Sequence, residues 1–150
     1  CPPEDNICLR AWRLMHERYG AGPVRIVLDK RVPYGAGLGG GSADATAVVQ
    51  GVDALFGLRL AEAELIDCAA ALGSDTAFFV RNAPQLCTGR GEVMRPVKPA
   101  FGGYTLLIVK PDEADSTREA YAGVRPAVPA GSHVESMRLP GKKWLLVENR

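Results

Sequence analysis

The sequence contains no apolar run of the roughly 18 residues that a membrane-crossing helix needs, so no membrane partner is expected. It also lacks an excess of either charge: 18 Lys and Arg stand against 17 Asp and Glu, a net of +1. A protein that coats nucleic acid carries a basic surplus, so no nucleic-acid partner is expected. Histidine is scarce, with two in all, and the four cysteines (Cys1, Cys8, Cys68 and Cys87) form no C-x-x-C pair. Zinc spacing is therefore absent, and no metal site built from protein side chains is expected. No disulfide framework is indicated either. The thiols read as small hydrophobes in a reducing cytoplasm. The opening CPPEDNICLR is acidic and proline-containing, unlike the basic and then apolar start of a secretory signal. The chain begins with Cys1 rather than Met and stops at WLLVENR without a visible end to a structural unit, which reads as a piece truncated at both ends.

What is present suits one ordinary domain, or one domain and part of another: 150 residues, 47% hydrophobic and 23% charged. NICLRAWRLMHERYG places Ile7, Ala11, Leu14 and Met15 at helical spacing, with Gly20 as a stop. PVRIVLDKRVP alternates Val24, Ile26 and Leu28 against its other residues and predicts a strand bounded by prolines. A helix over 42–56 is expected, capped by Ser42, with Asp44 in its first turn and an apolar stripe of Ala45, Val48, Val49, Val52, Leu55 and Phe56. A second helix over 61–72 turns Leu65, Cys68, Ala69 and Leu72 inward and ends at Gly73. TAFFV at 76–80 reads as a short strand, and QLCTGRGEVMRPV as a hairpin around Gly89, Arg90 and Gly91. Pro96, Pro99, Gly102 and Gly103 read as a linker. YTLLIVKP predicts a strand buried on both faces, and 116–121 a short helix. No internal repeat is visible.

Between the first strand and the helix that follows lies VPYGAGLGGGSADATAVV, in which five glycines fall within 35–41. Bare backbone lets main-chain N–H groups approach a ligand, and a helix N-terminus adds unpaired donors and a partial positive charge. Together they suit a phosphate. A Walker A loop is excluded, because Gly41 stands where its lysine belongs. The string G-x-G-x-x-G does occur at Gly35, Gly37 and Gly40. The acidic partner of a dinucleotide fold, about twenty positions on, is missing: Asp53 falls inside the predicted helix. A protein-kinase glycine loop would lie in a hairpin and be accompanied by H-R-D and D-F-G, which are absent. A flexible connector would gain nothing from abutting a helix, and each glycine raises the cost of ordering. Phosphate binding is the favoured reading.

These residues resemble the second, phosphate-binding motif of the GHMP kinases (galactokinase, homoserine kinase, mevalonate kinase, phosphomevalonate kinase). The G-L-G-G-G-S-A-D spelling, with DKRVP before it and ALGSDTAFFV and CTGRGEVMRPV after it, is similar to the members that act on a cytidine-diphosphate-linked methylerythritol in non-mevalonate isoprenoid synthesis. The similarity runs from EDNICLRAWRLM to about STREAYAGV. It implies an α+β fold with two domains and an active site between them. Residues 1–98 would form an N-terminal ATP-binding domain like the second domain of ribosomal protein S5, with its first part missing. Residues 103–150 would begin a ferredoxin-like C-terminal domain.

The same resemblance implies ATP and Mg²⁺ as cofactors and a small cytidine diphosphate sugar alcohol as substrate. Gly37, Leu38, Gly39, Gly40, Gly41 and Ser42, with Pro33 and Gly35 in the same loop, would wrap the ATP phosphates. Asn6 and Lys30 would border the adenosine end. Asp75 matches the catalytic, substrate-facing aspartate, and Thr117 and Tyr121 match positions near the cytidine diphosphate. From the residues alone, Asn6 is equally a helix cap, Lys30 and Arg31 are solvated strand-end charges, Asp75 is a turn residue and Tyr121 a packed aromatic. Arg90 reads as a hairpin tip, and His16 and His133 receive no role. The family's N-terminal lysine-bearing strand, its substrate-binding aromatic and His segment and its third glycine motif find no match, so the chain alone is expected to be inactive. Another GHMP kinase, of homoserine or mevalonate type, and a non-catalytic nucleotide-binding or dinucleotide-dependent domain are the alternatives. The oligomeric state is not legible.

Overall fold

The computed structural model describes residues 2–33, 36–98, 105, 107–109 and 122–125. The chain divides into two compact units, Cys1–Pro96 and Val97–Arg150, and every element below belongs to the first. Asn6 opens helix α1 (Ile7–Tyr19) by accepting the Cys8 amide on its side-chain oxygen at 3.0 Å. Gly20 closes it in the left-handed region, at φ 68, with its N–H on the His16 carbonyl. His16 and Arg18 in the last turn suit the negative end of the helix dipole. The chain then folds back on the helix. Trp12 Nε1 donates to the Gly22 carbonyl at 3.0 Å, and the Trp12 and His16 rings stack with centroids 5.5 Å apart.

Helix α2 (Gly40–Phe56) begins two residues before the expected start. Ser42 is not its cap. Gly39, in the left-handed region at φ 66, takes the N-cap place and makes no side-chain bond, so Ser42 lies inside the first turn. Helix α3 (Glu62–Leu72) is tied at its start by Glu64 Oε2, which accepts the Ala61 amide at 2.8 Å. Asp53, inside α2, accepts the Leu60 amide at 3.1 Å and fixes the connection between the two helices. Ala11 and Met15 of α1, Ala45, Val49 and Val52 of α2, and Cys68 and Leu72 of α3 form one buried cluster. Small residues at Ala11 and Ala45 let the three helices approach closely. Leu55, expected in the apolar stripe of α2, is 68% exposed because it falls on the outer side of the last turn.

The segment expected as a strand at 76–80 is instead helical, α4 (Phe78–Arg81). Thr76 is fully buried, its hydroxyl lies within hydrogen-bonding reach of the Ala69 and Gly73 carbonyls, and its own carbonyl starts the turn by accepting the Phe79 amide. Tertiary anchoring has overridden the strand preference of Thr, Phe and Val. The hairpin forms as read: β1 (Gln85–Thr88) pairs antiparallel with β2 (Val93–Pro96), with Cys87 opposite Met94. Helices beside a small antiparallel sheet make the architecture α+β. The strand expected at 24–28 finds no ladder partner among the described residues, and Val27 is 78% exposed. Leu107, Ile108 and Val109, read as part of a buried strand, are exposed and find no ladder partner among the described residues. The rest of that strand and the helix at 116–121 lie outside the described residues, apart from Thr105.

Candidate functional site

Gly37 and Gly39 hold φ values of 68 and 66, which bend the chain straight into α2. The first helical hydrogen bond runs from the Ala43 amide to the Gly39 carbonyl, at 2.9 Å. The N–H groups of Gly40, Gly41 and Ser42 precede that bond, so they are the donors a helix leaves over at its N-terminus. A Cβ placed on Gly37 or Gly41 would meet nothing within 4 Å. The space in front of this backbone is open. It belongs to a cleft of about 940 Å³, within the range that holds small-molecule ligands.

The cleft gathers Asn6, Lys30, Pro33, Gly37, Leu38, Gly39, Gly40, Gly41 and Ser42, residues spread over α1, the extended segment and the start of α2. Gly35, Thr117 and Tyr121 lie outside the described residues. Asn6 reaches the cleft while its side-chain oxygen caps α1. Lys30 is not a solvated strand-end charge: its ammonium pairs with Asp44 and lies 3.0 Å from where a Cβ on Gly40 would stand. Arg31 does behave that way, pairing with Asp29 at the surface.

Cys8, Leu28 and Asp44 also line the cleft, and sequence reasoning gave them no place in it. Cys8 is buried, and burial pushes its thiol above the ordinary range. The Asp44 charge adds to that rise, and the Lys30 charge opposes it. Asp44 read as a helix-dipole residue. No spacing rule links positions 30 and 44, so their pairing had no signal in the sequence.

Asp75 is exposed and is not in the wall of this cleft, but it is tied to it through its neighbours. Thr46 Oγ1 lies 3.0 Å from the Ser42 carbonyl and 2.8 Å from the Thr76 carbonyl, joining the first turns of α2 to the turn that carries Asp75. The Phe79 ring packs against Gly39, 2.8 Å from the position of an added Cβ. On the other side, a Cβ on Gly91 (φ 129) would overlap the Ser74 carbonyl oxygen, so the hairpin tip sits directly on that turn. The Cys87 thiol is raised first by partial desolvation and then by the Asp75 charge. The glycine loop and Asp75 thus rest on one shared scaffold.

Among the described residues, no group of three or more His, Cys, Asp or Glu side chains could cage a metal, and no helix is long and apolar enough to cross a membrane. A phosphate-sized anion held by the backbone donors of Gly40, Gly41 and Ser42, with Lys30 and Asp44 beside them, is what the cleft can accommodate.

Comparison with known proteins agrees with this geometry. The chain is 42% identical over 142 residues to the 4-diphosphocytidyl-2-C-methyl-D-erythritol kinase of Bacteroides thetaiotaomicron, covering 95% of this chain and 52% of that protein. It is 43% identical over 143 residues to the protein of the same name from Parabacteroides distasonis, covering 95% and 53%. The chain therefore spans about half the length of these curated relatives. A crystal structure of 4-(cytidine 5'-diphospho)-2C-methyl-D-erythritol kinase superposes with a TM-score of 0.63 at 31% identity, over 91% of this chain and 52% of that one. Residues 6–83, more than half of the chain, match the GHMP kinases N terminal domain. That span holds α1, the glycine loop, the Lys30–Asp44 pair and the Asp75 turn, and by it the chain belongs to the GHMP kinase family.

Proposed function

We propose that this chain is the ATP-binding part of a cytoplasmic kinase that phosphorylates the 2-hydroxyl of 4-diphosphocytidyl-2-C-methyl-D-erythritol, a step toward isoprenoid precursors. The observation that carries the nucleotide half is the glycine loop running without a break into α2, with open space where side chains at Gly37 and Gly41 would stand. The substrate half is supported by the relatives, which carry the name of that kinase. Cys8 and Cys68, buried as free thiols, suit a reducing compartment. On this reading residues 1–98 form the N-terminal domain and 103–150 begin the second.

Phosphoryl transfer to an alcohol asks for positioning and charge stabilisation, with little covalent work by the protein. The N–H groups of Gly40, Gly41 and Ser42 hold phosphate oxygens, and Lys30 adds a positive charge beside them. Asn6 borders the adenosine end, and Pro33, Gly35 and Leu38 shape the loop. Asp75 accepts or orients the proton of the acceptor hydroxyl. Thr117 and Tyr121 take the cytidine diphosphate, the ring stacking on the base. Mg²⁺, when bound, supplies charge neutralisation on the phosphates. The residues fit it: a cation that arrives on phosphates needs one or two protein oxygens, and the cleft offers the Ser42 hydroxyl and the Asp44 carboxylate rather than a protein cage.

The test is ADP release by the gene product containing this chain, offered the cytidylyl substrate beside homoserine, mevalonate and galactose. Turnover of the first alone is expected, with Asp75→Asn lowering kcat by about 10²–10⁴ and leaving ATP affinity in place. Turnover of another alcohol would replace the substrate assignment and keep the family. An Asp75→Asn protein as active as the wild type would remove Asp75 from the chemistry.

A further inference from the structure

The pair Lys30–Asp44 occupies the wall of the cleft where the backbone donors begin. Lys30 comes from the extended segment and Asp44 from the second turn of α2, and their side chains are only 28% and 21% exposed. With the ammonium lying against Gly40, an anion seated on the first turn of α2 has Lys30 as an adjacent cation and Asp44 as an adjacent carboxylate. Each charge is neutralised by the other while the pair holds. A polyphosphate that draws Lys30 away leaves Asp44 partly desolvated, unpaired and next to like charge, and both consequences oppose binding. A divalent cation arriving with the polyphosphate removes that opposition by taking the place of the ammonium beside the carboxylate.

We infer that the Lys30–Asp44 pair makes nucleotide binding conditional on a divalent cation: Asp44 retains Lys30 against metal-free ATP and releases it to the metal complex. The ligand class is a nucleoside triphosphate carrying its cation, and Asp44 is the residue that discriminates. This rests on the nucleotide reading above. Asp5 and Arg10 also line the cleft, at its α1 end, and neither pairs with Lys30. Asp5 is therefore an internal control of the same charge.

The experiment is calorimetric titration of the chain with ATP, in excess MgCl₂ and again in EDTA, with helical circular dichroism to confirm folding. Wild type is expected to bind at least about tenfold more weakly in EDTA, a difference within reach of one partly buried charge contact. Asp44→Asn narrows the ratio to about threefold or less by binding metal-free ATP more tightly, and Asp44→Glu and Asp5→Asn keep the wild-type ratio. Lys30→Gln, which leaves the carboxylate unpaired, widens the ratio and serves as the reciprocal test should Asp44→Asn fold poorly. A merely structural role for Asp44 would weaken ATP equally under both conditions, and that result overturns the inference, as does an unchanged ratio in Asp44→Asn or Lys30→Gln. Folded wild-type protein that binds ATP under neither condition overturns the nucleotide reading and this inference with it.

Discussion

Gly39 and Gly41 stand two positions apart in the same loop, yet the backbone asks different things of them. Gly39 is left-handed and lies under the Phe79 ring, so an added methyl group is opposed both by its φ and by its surroundings. Gly41 has neither constraint: it is helical, and a Cβ there meets only open cleft. Gly39→Ala is expected to destabilise the fold by about 1–2 kcal/mol from the φ penalty, with the ring contact adding to it. Gly41→Ala should leave the melting temperature where it is or raise it slightly, since Ala favours a helix over Gly by about 1 kcal/mol. It should still lose most of its ATP affinity, because the methyl group occupies the space a phosphate needs. Thermal melts and ATP titrations of the two variants separate fold from function within one loop. The glycine density was legible in the sequence, and in the structure it makes the left-handed bend at Gly37 and Gly39 that leads into α2. Ser42 was misread as a cap because the left-handed turn at Gly39 cannot be told from composition. The Lys30–Asp44 pair was invisible for want of any periodic relation between its members.

At the scale of elements, α1 and α3 were readable from apolar spacing and their own punctuation: Asn6 and Gly20 around one, Gly73 after the other. Helix α4 was not, since what makes 76–80 helical is buried Thr76, whose hydroxyl donates back to the Ala69 carbonyl and whose own carbonyl accepts from the distant Thr46 hydroxyl, rather than local preference. α4 is also tied to α3 by an ion pair, Arg81 with Glu62, at 2.6 Å from Nη2 and 2.9 Å from Nε. The hydrogen bond from Arg81, foremost, and then its charge hold the Glu62 carboxyl below its ordinary value of 4.5. A folded value below the unfolded one contributes stability above the ordinary value and loses it as pH falls through the folded one. The melting-temperature difference between wild type and Arg81→Gln should therefore be constant from neutral pH down to about 4.5 and shrink at lower pH. A difference that persists undiminished in acid would assign the role of Arg81 to its bond with Gln85 instead.

For the molecule as a whole, the cleft, the Asp75 turn and the shared helical core all fall within Cys1–Pro96. A unit with its own core can fold by itself. Residues 1–96 expressed alone are expected to unfold cooperatively in urea and to bind ATP with Mg²⁺ within about threefold of the longer chain's affinity, as an independent domain does. Loss of binding on truncation would show that residues 97–150 take part in the nucleotide site.

The turn at 73–79 stands between the hairpin tip, α2 and the glycine loop, held by Thr46, Thr76, Phe79 and Gly91, and none of these four lines the cleft. Under the proposed function, in which Asp75 handles the proton of the acceptor hydroxyl, a screen of single substitutions scored by activity alone would therefore rank them with Asp75. Residues outside the cleft would be catalogued as catalytic, and only a parallel scan of folded abundance would return them to the scaffold.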